Sequence, residues 1–308
     1  VIITPEDIRE FIPVATAKDS DLLVTQFDNS VVESAGLLKM DFLGLKTLTI
    51  MKDAVALIKE RHGVEIDIDQ IPLDDAKTFE LYQKGETNGT FQFESVGMQK
   101  HLRNLKPTDI EDLIAMNALY RPGPLQFIDT FIKRKQAIEE VEYPHEKLIP
   151  ILKDTYGIMV YQEQIMQTAQ ILAGYSLGAA DILRRAMGMS EMDVMQEQKI
   201  IFREGCETHN GIDAKKADEI FDIMMKFAEY GFNRSHSAAY SLVAFQTAYL
   251  KANYPAEYMA SVLTHNMGDI KKVTFFMEEC KRAGIPVLGP SVNESNFKFK
   301  VNDKGQIR

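Results

Sequence analysis

Apolar positions recur at three- and four-residue spacing between Leu45 and Ala283, and in short runs or alternation outside that range. The pattern predicts helix through the middle of the chain and sheet at both ends, a mainly α chain that is α+β overall. Val1 to Thr4, Val24 to Phe27 and Gly36 to Asp41 read as strands. Leu48, Met51, Val55 and Ile58 form the stripe of a first helix, which Gly63 ends. Val64 to Asp69 reads as another strand, with Asp67 and Asp69 on one face. Helices are expected near 75–84, 94–104, 107–120, 125–138 and 161–173. Another is capped by Ser176 and closed by Gly188, and two more cover 191–209 and 214–230. After Ala283, Ile285 to Leu288 and Phe297 to Val301 read as strands. Asn302 to Gly305 forms a turn, and Gln306 to Arg308 starts a returning strand.

The stretch from Gly231 to Tyr258 holds the most chemistry. Phe232-Asn233-Arg234-Ser235 makes a polar turn, and one amphipathic helix follows until Pro255. Asn233 or Ser235 can cap it. Ala238, Ala239, Leu242, Val243 and Ala248 fit its packed face. Packing does not require Asn233, Arg234, Ser235, His236 or Tyr240. His236 and Tyr240 are four apart and share a face. Free amides at a helix start, with a cation, hydroxyls and an aromatic ring, suit a nucleotide. A capped core helix with a hydrogen-bonded histidine accounts for the same residues.

Three other groups carry candidate chemistry. In a strand, Lys39 and Asp41 project from one face, where a cation and a carboxylate can meet a metal-bound triphosphate. An exposed ion pair of little energetic weight is the plainer reading. Arg184 and Arg185 point about 100° apart on a helix. They suit bidentate phosphate contact, or simply place charge near a helix end. Arg121-Pro122-Gly123-Pro124 is a rigid break between two helices.

Bulk properties narrow the classes. The chain has 308 residues, 45% of them apolar, enough for one large domain or two smaller ones with a sizeable core. It has no apolar run of membrane-spanning length and no secretory signal. Cys206 and Cys280 form no CxxC pair, so reduced thiols are expected. A net charge of −10 argues against a generic nucleic-acid coat. Residues 100–135 are locally basic, with seven Lys or Arg against four acids. That segment suits phosphates, or forms a solvated charged face.

Five stretches, in order, carry a resemblance. They are Lys39 to Leu45, Phe91 to Met98, Leu119 to Pro124, Tyr161-Gln162-Glu163-Gln164 with Leu183 to Gly188 behind it, and Phe232 to Tyr240. Together they resemble the alpha-subunit family of bacterial DNA polymerase III, the C-family replicative polymerases. The resemblance implies the end of an incomplete palm at 1–45, helical fingers at 46–262 and a distal fingers region at 263–308, cut in a hairpin. It implies DNA synthesis with two magnesium ions held by three palm aspartates. Asp41 would be the third, a catalytic and metal-binding residue. Lys39 would contact the triphosphate, Arg184 and Arg185 would clamp its phosphates, and Arg121 would touch DNA. His236 and Tyr240 would line the sugar and base, with Asn233 and Arg234 near them. The family's Asp-x-Asp pair lies upstream of the segment like Lys39 to Leu45, so no catalytic role passes to Asp67 and Asp69.

The chain begins in a sheet and stops in a hairpin, so the expectation is a fragment, inactive alone because two palm aspartates are missing. The implied partners are template-primer DNA and dNTP. Sliding clamp, clamp loader and proofreading exonuclease would bind mostly through regions outside the fragment. The bacterial cytoplasm is the expected location, with no membrane. A non-catalytic helical module that binds phosphate or a protein is the alternative.

Overall fold

The computed structural model describes every residue except Asp19, Ser190, Glu191 and Glu229, with side chains described except there and at 188, 189, 192 and 193. The chain forms two compact units, Val1–Lys46 and Thr47–Arg308. Helix takes up 57% of it, so the mainly α expectation holds.

In the first unit, β1 (Ile2–Ile3) pairs antiparallel with β4 (Leu38–Lys39), and β2 (Val14–Thr16) pairs antiparallel with β3 (Leu23–Thr25). Ile12, Val32 and Leu37 are its buried core. The strands are shorter than their apolar runs suggest. The last one expected to reach Asp41 is Leu38–Lys39. The Met40 amide still donates to the Val1 carbonyl at 2.8 Å, but Asp41 lies past the pairing. Asp41 and Lys39 therefore do not share a strand face.

The second unit is built from helices in sequence. They are α1 (Lys46–His62), α2 (Ala76–Lys84), α3 (Val96–Leu105), α4 (Ile110–Leu119), α5 (Ile128–Lys135), the single-turn α6 (Ile149–Leu152) and α7 (Gln162–Ala173). Then come α8 (Leu177–Met189), α9 (Met192–Asn210), α10 (Ala214–Ala228), α11 (Arg234–Asn253), α12 (Pro255–Thr264) and α13 (Ile270–Arg282). Residues 191 and 229 of the expected helices lie outside the described residues. Cap chemistry sets many of the ends. Asp75, Ser95, Asp109 and Asn233 side chains accept backbone amides at the starts of α2, α3, α4 and α11. Gly85 and Gly174 close α2 and α7 with positive φ, a conformation glycine adopts without a Cβ penalty.

Several details differ from the periodicity. The buried face of α1 is Ile50, Met51, Ala54 and Ile58, while Leu48 is half exposed. Val64 to Asp69 is not a strand. The Asp67 carboxylate accepts the Asp69 amide at 3.0 Å and caps a 3₁₀ turn over Ile68–Gln70. At the carboxyl end, the expected hairpin is reduced to single bridges, Val301 with Ile307 and Val287 with Ile307.

Helix α11 packs against both α2 and α4. Its buried face is Ser237, Ser241, Ala244, Phe245 and Ala248, whereas Ala239 is exposed and Leu242 is 38% exposed. The predicted face is therefore rotated. Small hydroxyl residues let α4 come close, and the Ser237 hydroxyl donates to the Ile114 carbonyl at 2.6 Å.

Between α4 and α5, Gly123 has φ +98°, and a Cβ there would lie 2.4 Å from Tyr230 ring carbons. Gly123→Ala should destabilise the fold by about 1–3 kcal/mol, because both backbone and ring must shift. A urea midpoint equal to that of the parent chain would contradict this packing.

Candidate functional site

The starts of α7 and α11 lie side by side. The Phe232 amide donates to the Val160 carbonyl at 3.2 Å, and the Gln162 amide donates to the Phe232 carbonyl at 3.0 Å. The residues of Tyr161-Gln162-Glu163-Gln164 hold this junction. Gln164 Oε1 accepts the amides of Val160 and Tyr161 at 2.7 and 3.0 Å. The Glu163 carboxylate accepts the Arg234 amide at 3.0 Å and Asn233 Nδ2 at 2.8 Å. Asn233 Oδ1 accepts the His236 amide at 2.8 Å.

Free amides at the start of α11 were the expectation. Those of Arg234 and His236 are already taken by Glu163 and Asn233. Arg234 itself makes a bidentate pair with Glu111 at 2.7 and 2.8 Å. Burial opposes its charge, but Glu111 outweighs that and raises the guanidinium pKa.

Next to this junction runs a strip of rings. Arg121 Cζ sits 4.2 Å above the Phe232 ring. Phe232 meets His236 edge-on at 5.3 Å, His236 overlaps Tyr240 at 4.2 Å, and Tyr240 meets Phe91 at 5.3 Å. His236 is exposed, and Phe91, Phe232 and Tyr240 are half-buried. Arg121 is anchored by bonds from Nε to the Ala118 carbonyl at 2.9 Å and from Nη2 to the Tyr230 carbonyl at 2.8 Å. Burial lowers its pKa. A strip of this kind offers π faces to a planar ligand.

The two arginines of α8 converge on one carboxylate. Arg184 donates from Nε and Nη2 to Asp181 Oδ1 at 3.0 and 2.8 Å, and Arg185 Nη2 lies 2.8 Å from Oδ2. Arg184, foremost, with Arg185, lowers the Asp181 pKa. Arg184 Nη1 also lies 3.5 Å from Gln162 Oε1, which ties it to the ring strip through the Gln162–Phe232 bond. Arg185 is 64% exposed. The structure thus brings Arg121, Arg184, His236 and Tyr240 into one neighbourhood.

Elsewhere in the basic segment, Lys135 pairs with the buried Asp112 at 2.8 Å and Arg134 pairs with Glu139 at 3.1 Å, so both are internal supports. In the first unit, Lys39 Nζ lies 3.8 Å from Glu33 Oε2, and Asp41 is exposed. Sequence reasoning gave no role to Phe91, Glu163 and Phe232, which lie within the five stretches, and missed Glu111 and Asp181. Only Asp181 carried a local signal, lying three and four residues before the arginines.

Magnesium binds hard oxygen ligands, and a two-ion site needs several of them together. Among the described residues, no three His, Cys, Asp or Glu side chains are grouped to hold an ion. Asp41 offers one exposed carboxylate. These residues do not make a two-ion site.

Comparison with known proteins gives two family matches. The bacterial DNA polymerase III alpha subunit finger domain matches residues 47–210, and the bacterial DNA polymerase III alpha NTPase domain matches residues 1–44. The DNA polymerase III subunit alpha of Pseudomonas aeruginosa is 51% identical over 318 residues, covering 100% of this chain and 27% of the relative. That of Escherichia coli K12 is 50% identical with the same coverage. That of Thermus aquaticus is 50% identical over 306 residues, covering 98% of this chain and 25% of the relative. The chain thus spans about a quarter of the length of these curated relatives. No helix among the described residues is long and apolar enough to cross a membrane.

Proposed function

Because the chain belongs to the family of bacterial DNA polymerase III alpha subunits, we propose that it forms the nucleotide-binding fingers and a piece of the palm of a DNA-directed DNA polymerase. The observation that carries this reading is the ring strip of Phe232, His236, Tyr240 and Phe91 beside Arg184. The base and sugar of an incoming dNTP lie against His236 and Tyr240. Arg184 and Arg185 hold its phosphates, which compete with Asp181 for the guanidinium donors. Arg121 contributes a cation at the end of the strip, toward DNA.

Asn233 and Arg234 have a different task in this reading. Held by Glu163 and Glu111, they fix the start of α11 and so aim His236 and Tyr240. Lys39 would meet the triphosphate, and Asp41 would give one oxygen ligand to magnesium in the longer polymerase. The palm segment would run over 1–45, the fingers over 46–262 and the distal region over 263–308. Template-primer DNA and dNTP would be the substrates. Clamp, clamp loader and exonuclease would be partners mostly of other regions, in the bacterial cytoplasm.

Tyr240→Ala in the full-length polymerase tests the reading. Losing one stacking ring should raise the KM for dNTP about tenfold, with primer-template affinity unchanged. An unchanged KM in a variant with the parent melting temperature would refute the assignment.

A further inference from the structure

A pocket of about 340 Å³ opens at the α7–α11 junction, lined among others by Glu111, Asp154, Tyr161, Glu163 and Arg234. It holds three carboxylates against one guanidinium, so it repels phosphate. Arg234 is already paired with Glu111. Asp154 is exposed, and its carboxylate has no hydrogen bond or ion pair among the described residues. Pro150 and Ile151 supply an apolar wall.

Tyr161 is 3% exposed, and its buried hydroxyl makes no hydrogen bond among the described residues. Tyr161 lines the same pocket as Glu111, Asp154, Glu163 and Arg234. Burial, foremost, keeps it protonated by raising its pKa far above the ordinary tyrosine value. A buried polar atom without a partner is costly, and most such atoms are satisfied by something.

We propose that this pocket binds a primary alkylammonium group, carried by a lysine side chain or a free polyamine. An ammonium has three N–H donors and no acceptor. The Tyr161 phenol oxygen and the carboxylates of Asp154 and Glu163 are the matching acceptors, and a slender methylene stem packs along Pro150 and Ile151. The binding involves no covalent step. The pocket shares Glu111, Glu163 and Arg234 with the contacts that fix the start of α11, but the inference uses neither the ring strip nor the α8 arginines.

The test is calorimetric titration of the chain with n-butylammonium, beside tetramethylammonium, which cannot donate a hydrogen bond. Saturable binding of n-butylammonium alone is expected. Tyr161→Phe and Asp154→Asn should each weaken it about tenfold, the scale of one hydrogen bond to a charged group. Tyr161→Phe should not lower the melting temperature, because the hydroxyl has no partner to lose. Tighter binding of spermidine than of a Gly-Lys-Gly peptide assigns a free polyamine, and the reverse assigns a protein lysine. Equal binding of tetramethylammonium, an affinity unchanged in Tyr161→Phe, or stronger binding of pyrophosphate overturns the proposal.

Discussion

Lys251→Met should lower the unfolding free energy by about 3 kcal/mol, because it breaks a buried ion pair and takes the donor from two further carbonyls. Lys251 is 6% exposed and Glu279 is 2% exposed at the side chain, with Nζ and Oε1 2.7 Å apart. The same ammonium donates to the carbonyls of Glu86 and Asn88, both at 2.7 Å. Its loss leaves the two carbonyls without this donor, and Glu279 with Arg282 and Asn88 alone. A methionine fills much of the volume, so the effect reads out polar satisfaction rather than a cavity. Chemical denaturation measures it, and a loss below about 1 kcal/mol would contradict the burial and bonding of this pair.

The same cluster gives a pH dependence. Burial pushes the Glu279 carboxyl up, but donors from Arg282, Lys251 and Asn88 outweigh it and bring the pKa from 4.5 down to about 2. A carboxyl whose pKa is lowered by folding contributes stability above its unfolded value. That contribution should therefore be present above about 4.5 and fade as the pH falls toward about 2. Stability measured across this window should fall less steeply in Glu279→Gln than in the parent chain.

Arg184→Ala and Arg185→Ala in the full-length polymerase should each cost on the order of 1.5–3 kcal/mol in nucleotide use, or roughly ten- to a hundredfold in kcat/KM. Primer-template binding should change little, because the clamp acts on the incoming triphosphate. The geometry sharpens the prediction. Both arginines share Asp181, so removing one leaves that carboxylate paired with the other. Each single variant should therefore melt close to the parent, and the two changes together should not simply add. Lysine should rescue only partly, lacking the planar fork. Parent-like incorporation by both variants would return the arginines to a purely helical role.

Much of the fold was legible because local chemistry fixed it. Asn233 caps α11 where its side-chain oxygen meets an orphan amide, and Gly63 follows the end of α1 where φ turns positive. Helix α11 was harder. Its buried face uses Ser237 and Ser241 against close neighbours, while Leu242 points outward, so polarity marked the wrong side. The strand ending at Lys39 was overextended, because pairing depends on the partner strand rather than on the apolar run. The Arg184 and Arg185 pairing with Asp181 follows helical spacing. The partners of Arg234 do not, since Glu163 and Glu111 lie 71 and 123 residues away. Without them, the start of α11 looked like an open anion site.

The central claim is that one nucleotide bridges the ring strip and the α8 arginines. An experimental structure of the full-length polymerase with primer-template and a non-reacting dNTP measures this directly. The account predicts phosphate oxygens within hydrogen-bond distance of Arg184 or Arg185, and the base or sugar against His236 and Tyr240. A nucleotide bound with its phosphates in the pocket of Glu111, Asp154 and Glu163, or touching neither arginine, would contradict it.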